Sequence, residues 1–148
     1  MTVYIAGDHF AEPALAVVRA RLALAGIDYQ EFGYCAGANP GAMLAEFIPE
    51  IANAVRADVG STGILVCGTG VGVEVGANRF SRIRASLCST PQAAEWARKF
   101  DDANVLCLAS WLLPDLDIGG ILSRWLTTPF DGDTSRPEMF VLFDSWTE

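Results

Sequence analysis

Basic residues are scarce in this chain: 10 Lys and Arg stand against 18 Asp and Glu, a formal net charge of -8 over 148 residues. A surface that grips a nucleic-acid backbone needs concentrated cations, so nucleic acid is excluded as a partner, and any anionic ligand needs a local device. Histidine is limited to His9, and the four cysteines, Cys35, Cys67, Cys88 and Cys107, include no C-x-x-C pair. That set makes no conventional zinc site from adjacent ligands, and no metal is expected. An apolar run of about 20 residues, the length a bilayer span needs, is missing. No charged segment leading into an apolar one opens the chain. The expectation is a soluble, cytoplasmic protein with no membrane partner. Repeats, linkers and low-complexity segments are absent as well, so residues 1–148 read as a single domain.

What the chain has in excess is apolar side chains, 51% of residues against 19% charged. A chain of this length buries roughly 70% of its unfolded surface, which is enough for a real core. The surplus points to an oligomer interface. Short apolar runs alternate with amphipathic stretches along the whole chain. "TVYIAGDH" reads as a strand and "AEPALAVVRARLALAG" as a helix stopped at Gly26; "IDYQEFGY" is a second strand, followed by a loop "CAGANPG" and a helix over Ala42–Asp58 that Pro49 should kink or shorten. "GILVCG" and "VGVEVGANRF" form a third unit, and "IRASLC" with "TPQAAEWARKF" a fourth, its helix opened by Thr90 as N-cap and Pro91 at the first position. "NVLCLAS" and "PDLDIGGILSRWLTT" form a fifth. Apolar strands alternating with helices imply an α/β fold with a parallel sheet covered on both faces.

In such sheets a ligand crevice opens beyond the carboxyl ends of the strands, which directs attention to Asp8, His9, Cys67 to Gly72, Ser89, Ser110 and Trp111. The glycines Gly68, Gly70 and Gly72 are the most distinctive of these. They do not form a dinucleotide fingerprint, because G-x-G-x-x-G counted from Gly68 or Gly70 ends on Val73 or Val75. No lysine follows them, so a Walker loop fails too, which excludes a nucleotide cofactor by either route. A tight turn remains whose amide groups face the mouth of a helix, a setting for a developing oxyanion. Cys67 stands at its edge, where a thiolate is favoured, and is a candidate base or nucleophile. Cys88 and Cys107 read as buried strand residues.

The segment "ILVCGTGVGVEVGANRF", followed by "IRASLC" and "DDANVLCLAS", resembles the ribose-5-phosphate isomerase B and galactose-6-phosphate isomerase family, and the likeness runs from "AGDH" through the fifth unit. The resemblance implies a three-layer αβα Rossmann-like sandwich with a five-stranded parallel sheet. It also implies a homodimer or homotetramer with sites at the subunit interface, and no metal or organic cofactor. The activity implied is aldose-ketose isomerisation of a sugar or sugar phosphate through a cis-enediol. Cys67 then matches the family's catalytic base, Thr69 the threonine beside the substrate, and Asp8 and His9 the pair that lines the pocket. The amides of Gly68, Gly70, Val71 and Gly72 would meet the enediolate. Asn78 matches a helix asparagine expected to brace the loop. Relatives that lack the cysteine carry a glutamate aligned with Val73; Glu74 lies one position on and is expected to be a solvated or bracing residue.

The departures from the family are as informative. Where relatives carry H-N-D-x-N-V, with the histidine assigned to ring opening, this chain has "FDDANV", so Phe100 and Asp101 take the pocket positions. Trp111 replaces an arginine. Thr134 and Glu138 fall where tail arginines would hold a phosphate, leaving Arg136, out of register, and Arg19 as the remaining cations. "MLAE" at Met43 to Glu46 also replaces the family's D-Y-P-[DH]. These losses point to a changed substrate, shorter, acyclic or unphosphorylated. The alternative is a partner subunit or non-catalytic carbohydrate-binding member of the same family, against which the retained Cys67 argues.

Overall fold

The computed structural model describes residues 1–146 as five parallel strands and six α-helices. The strands are β1 (Val3–Gly7), β2 (Tyr29–Gly33), β3 (Thr62–Cys67), β4 (Ala85–Leu87) and β5 (Val105–Ala109), in the order β2-β1-β3-β5-β4. The helices are α1 (Glu12–Leu24), α2 (Leu44–Ala57), α3 (Val71–Ala77), α4 (Pro91–Asp101), α5 (Asp115–Thr127) and α6 (Ser135–Ser145). The five-stranded parallel sheet with helices on both faces is the architecture the sequence predicts.

Strand alternation sorts the core into two layers, because successive side chains of a strand point to opposite faces. Ile64 and Val66 of β3 join Leu15 and Val18 of α1, Ala94 of α4 and Ile118, Ile121 and Trp125 of α5 on one face. Leu65 and Cys67 join Phe47, Ile48 and Ile51 of α2 and Val73 and Ala77 of α3 on the other. All six residues of β3 are buried, as befits the central strand. Trp125, 2% exposed, satisfies its indole by donating from Nε1 to Thr62 Oγ1 at 2.9 Å, which in turn donates to the Asn104 carbonyl at 3.0 Å.

Two local expectations need correction, and one further helix carries no sequence signal. Pro49 does not shorten α2, which runs through it to Ala57. One main-chain bond is forgone there, and the burial of Phe47, Ile48 and Ile51 on either side offsets it. The fourth strand is shorter than Ile83–Cys88, since Arg82 takes a left-handed φ of 62° and the Arg84 amide donates to the Asn104 side chain instead of a strand. Cys88 is fully buried but lies just beyond β4. Finally, the tail forms a helix, α6, where no helical periodicity stands out; its apolar residues Met139 to Phe143, interrupted by none of the polar spacing a helix face shows, are consecutive.

Candidate active site at the β1/β3 crevice

The strand order reverses between β1 and β3: from β1 the chain moves to β2 on one side, then crosses to β3 and goes on to β4 and β5 on the other. A crevice opens at such a switch point. Gly7 pairs in register with Val66, so the next residues along, Asp8 and Cys67, stand side by side at the crevice floor. Gly7 is tied to this arrangement: a Cβ there would lie 2.6 Å from the Ala11 side chain and 2.7 Å from the Val66 carbonyl.

Asp8 is 8% exposed and caps a short 3-10 turn, His9–Ala11, by accepting from the Ala11 amide at 3.1 Å. Cys67 is 5% exposed, and its Sγ accepts from the Gly70 amide at 3.2 Å. That hydrogen bond fixes the sulfur at the mouth of the glycine turn. The turn that permits it needs glycine. Gly70 has φ 73°, and a Cβ on it would lie 2.5 Å from Leu87 Cδ1 and 3.1 Å from the Ala109 amide nitrogen. Thr69 is exposed at the rim, where its Oγ1 accepts from the Val71 amide at 3.3 Å. Two amides expected to face an enediolate are thus already committed, Gly70's to sulfur and Val71's to Thr69.

An aromatic wall that the residue pattern does not reveal stands over this floor. The indole of Trp111 covers Gly68 so closely that a Cβ there would lie 2.5 Å from Cε2. Phe10 packs against it edge-on at 5.3 Å, and His9 lies 3.8 Å from Phe10 between ring centroids. Phe10 directly follows the Asp8-His9 pair in sequence, which was the available signal. Contact with Trp111, about a hundred residues away, was not.

Glu74 and Asn78 brace the edge strand. Glu74 Oε1 accepts from the Leu87 amide at 2.8 Å, while Asn78 accepts from the Ala85 amide at 2.8 Å and donates to the Ala85 carbonyl at 2.9 Å. Glu74 is therefore bracing, as expected, and Asn78 steadies β4 rather than the glycine loop.

Phe100, Asp101 and Arg136 are not brought to this crevice. Phe100 and Asp101 end α4 and precede β5, at the amino ends of the strands. Arg136 is there too, donating to the Phe100 carbonyl at 2.8 Å, lying 5.0 Å from the Phe100 ring and pairing with Asp131 at 3.0 Å and Asp133 at 3.9 Å. Arg19 is also engaged, with Glu12 at 2.8 Å and Glu31 at 2.7 Å; those bonds raise its pKa further above the usual guanidinium range. Among the described residues no His, Cys, Asp and Glu cluster could hold a metal ion, and no helix is long and apolar enough to cross a membrane.

A family model described as Ribose/Galactose Isomerase matches residues 3–139. Ribose-5-phosphate isomerase B of Escherichia coli is 38% identical over 87 residues, 58% of this chain and 58% of that protein. A D-erythrulose-4-phosphate isomerase of Pectobacterium atrosepticum is 34% identical over 89 residues, 60% of this chain and 59% of that protein. The chain thus spans under two thirds of the length of these curated relatives. Solved structures match over more of it. A ribose 5-phosphate isomerase of Thermotoga maritima superposes with TM-score 0.88 at 30% identity, covering 97% of each chain. Ribose-5-phosphate isomerase B of Mycoplasma genitalium with bound ribulose-5-phosphate superposes with TM-score 0.87 at 27% identity, covering 99% of this chain and 97% of that one.

Proposed function

The chain belongs to the Ribose/Galactose Isomerase family, and from that premise we propose that it is an aldose-ketose isomerase with Cys67 as its base. The observation that carries this is the Gly70 amide donating to Cys67 Sγ beside Asp8 at the switch point. The Cys67 thiolate takes the proton from C2 of an open-chain aldose, the electrons of that C–H bond form the C1–C2 double bond, and the carbonyl oxygen is protonated to give the cis-enediol. Return of the proton from sulfur to C1, with loss of the O2 proton, gives the ketose. No electron leaves the substrate, so no redox cofactor enters. In this reading Thr69 and Asp8 relay the oxygen-bound protons, and His9 with the amides of Gly68 and Gly72 lines the substrate, the Gly70 and Val71 amides being taken by Cys67 and Thr69.

The substrate class follows from what surrounds that base. Phe100 has no proton to give to a ring oxygen, Trp111 carries no charge, and Arg136 and Arg19 are spent on carboxylates. A short, open-chain sugar or its ester needs no ring opening. A four-carbon sugar phosphorylated on its terminal oxygen is such a compound, having no free hydroxyl that closes a furanose. The relative named D-erythrulose-4-phosphate isomerase supports this choice. The test is proton exchange in deuterated water: erythrulose 4-phosphate should gain deuterium at C1 in the presence of enzyme. A protein that exchanges no C1 or C2 proton of any tetrose, pentose or ester is not an isomerase.

We infer further that the active form is a homodimer or homotetramer. Phe100, Asp101 and Arg136 lie at the opposite end of the sheet from their own Cys67, so only another copy could bring them to a crevice. Light scattering at micromolar concentration should give twice the 15.9 kDa chain mass or a larger multiple. A monomer would remove the shared-site reading. Four free cysteines, none paired in a disulfide, suit a reducing compartment, and the cytoplasm is the proposed location.

A further inference from the structure

The amino ends of β3, β4 and β5 enclose a cavity of about 330 Å³ at the far end of the sheet from Cys67. In a chain with only ten basic residues, four arginines line it: Arg56, Arg82, Arg84 and Arg98. Asp102 is the one carboxylate among the lining residues, and it is already shared by Arg84 at 2.9 Å and Arg98 at 3.7 Å. Two more acids lie nearby, both hydrogen-bonded. Asp58 accepts from the Tyr4 hydroxyl at 3.0 Å, and Asp144 accepts from the Arg82 amide at 2.6 Å. Among the described residues no carboxylate pairs with the guanidinium of Arg56 or of Arg82.

Two independent observations show that this is more than a crowded surface. Among the described residues just two buried side-chain polar atoms have no hydrogen-bond partner, Arg56 Nε and Ser61 Oγ, and both residues line this cavity. Ser61 is only 9% exposed. Buried donors are rarely left unpaired, so two of them on residues that line one cavity point to a missing acceptor. The backbone adds a second sign. Arg82 and Asp102 hold φ of 62° and 45°, the left-handed region where glycine would sit without strain. At Arg82 a long cationic side chain stands where glycine would cost less. Burial holds Arg98 below the usual guanidinium range, with Asp102 pulling the other way.

We propose that this cavity is an oxyanion site that binds a phosphate group, free or as a monoester, between the guanidinium groups of Arg56 and Arg82 with the Ser61 hydroxyl as a third donor. Guanidinium recognises phosphate through paired charge-assisted bonds, and the third donor fixes the anion against the buried end of the cavity. Within one chain the site lies at the opposite end of the sheet from Cys67, and its binding is read without turnover.

The experiment titrates the full chain with inorganic phosphate, sulfate and glycerol 3-phosphate at ionic strength held constant with chloride, following Tm and heat of binding. Phosphate should stabilise saturably, and Arg56→Gln and Arg82→Gly should each weaken binding at least tenfold, about 1.4 kcal/mol. Arg82→Gly relaxes a left-handed residue, so its loss of binding cannot be put down to misfolding; Ser61→Ala should weaken binding by less. His9→Ala, at the opposite end, should leave it unchanged. Tighter binding of glycerol 3-phosphate than of phosphate identifies a monoester as the ligand, and the reverse identifies the free ion. No saturable stabilisation beyond chloride overturns the proposal, as does stabilisation that survives Arg56→Gln and Arg82→Gly or that disappears with His9→Ala.

Discussion

Cys67→Ala should lower kcat/KM by at least about a thousandfold and remove deuterium exchange at C1 and C2 together. Positioned proton transfer contributes roughly 10²–10⁴ in rate, and no other described thiol is within reach: Cys88 and Cys107 are fully buried in the core and Cys35 lies beyond β2. The variant will also lose some stability. Removing sulfur leaves the Gly70 amide, which now donates at 3.2 Å, without an acceptor in a buried turn, at a cost of about 1–3 kcal/mol. Cys67→Ser separates the two effects. Its hydroxyl can still accept from Gly70, so the turn and the Tm should be largely restored, yet a hydroxyl is far too weakly acidic to supply an anionic base at neutral pH. A serine variant with native stability and no exchange identifies sulfur as the base. A serine or alanine variant that keeps more than about 1% of wild-type turnover moves the base elsewhere, and Asp8 is the first place to look.

The fold was legible because its signal repeats. Each buried strand is a short apolar run, each helix that follows buries one stripe, and the parallel sheet is the arrangement that hides both. Legibility fails where tertiary contacts decide. The fourth strand starts late because Arg82, just before it, turns left-handed and Asn104 takes the Arg84 amide. The tail helix α6 carries no periodic stripe, and its apolar block is held by rings, with Phe140 6.4 Å from Phe130 and 6.3 Å from Phe143 between centroids. At the crevice, Cys67, Asp8 and His9 were readable as residues that follow strands. The Trp111 indole lying on Gly68 was not, since a missing side chain at Gly68 matters only once its neighbour is known. Phe100 and Arg136 came to the candidate pocket by resemblance alone. The position of Phe100 in the chain, at the end of the fourth helix and before the fifth strand, already places it at the wrong end of its own sheet.

The largest effect on specificity is expected at Trp111. In a side-by-side comparison, erythrulose 4-phosphate and unesterified tetroses should be processed with higher kcat/KM than ribose 5-phosphate, which must first open its ring at a crevice where Phe100 offers no proton. Trp111→Arg should then act in a chemically selective way. The indole is 62% exposed and meets Phe10 at a ring distance of 5.3 Å, so its replacement costs the core little. A guanidinium at the rim beside Gly68 can reach a phosphate on the bound sugar. A charge-assisted bond contributes roughly 1.5–3 kcal/mol, which is about ten- to a hundredfold in affinity. The gain should appear as a lower KM for phosphate esters, with kcat nearly constant, because the contact is made equally before and during proton transfer. Unesterified sugars, which have nothing to pair with the new charge, should gain nothing. If the wild-type protein already turns over ribose 5-phosphate at a kcat/KM of about 10⁴ M⁻¹s⁻¹ or more, the ordinary range for enzymes, the changed-substrate reading is wrong. A cation released from its carboxylates must then hold the phosphate, and Arg136→Ala, which frees Asp131 and Asp133 as well, becomes the variant that identifies it.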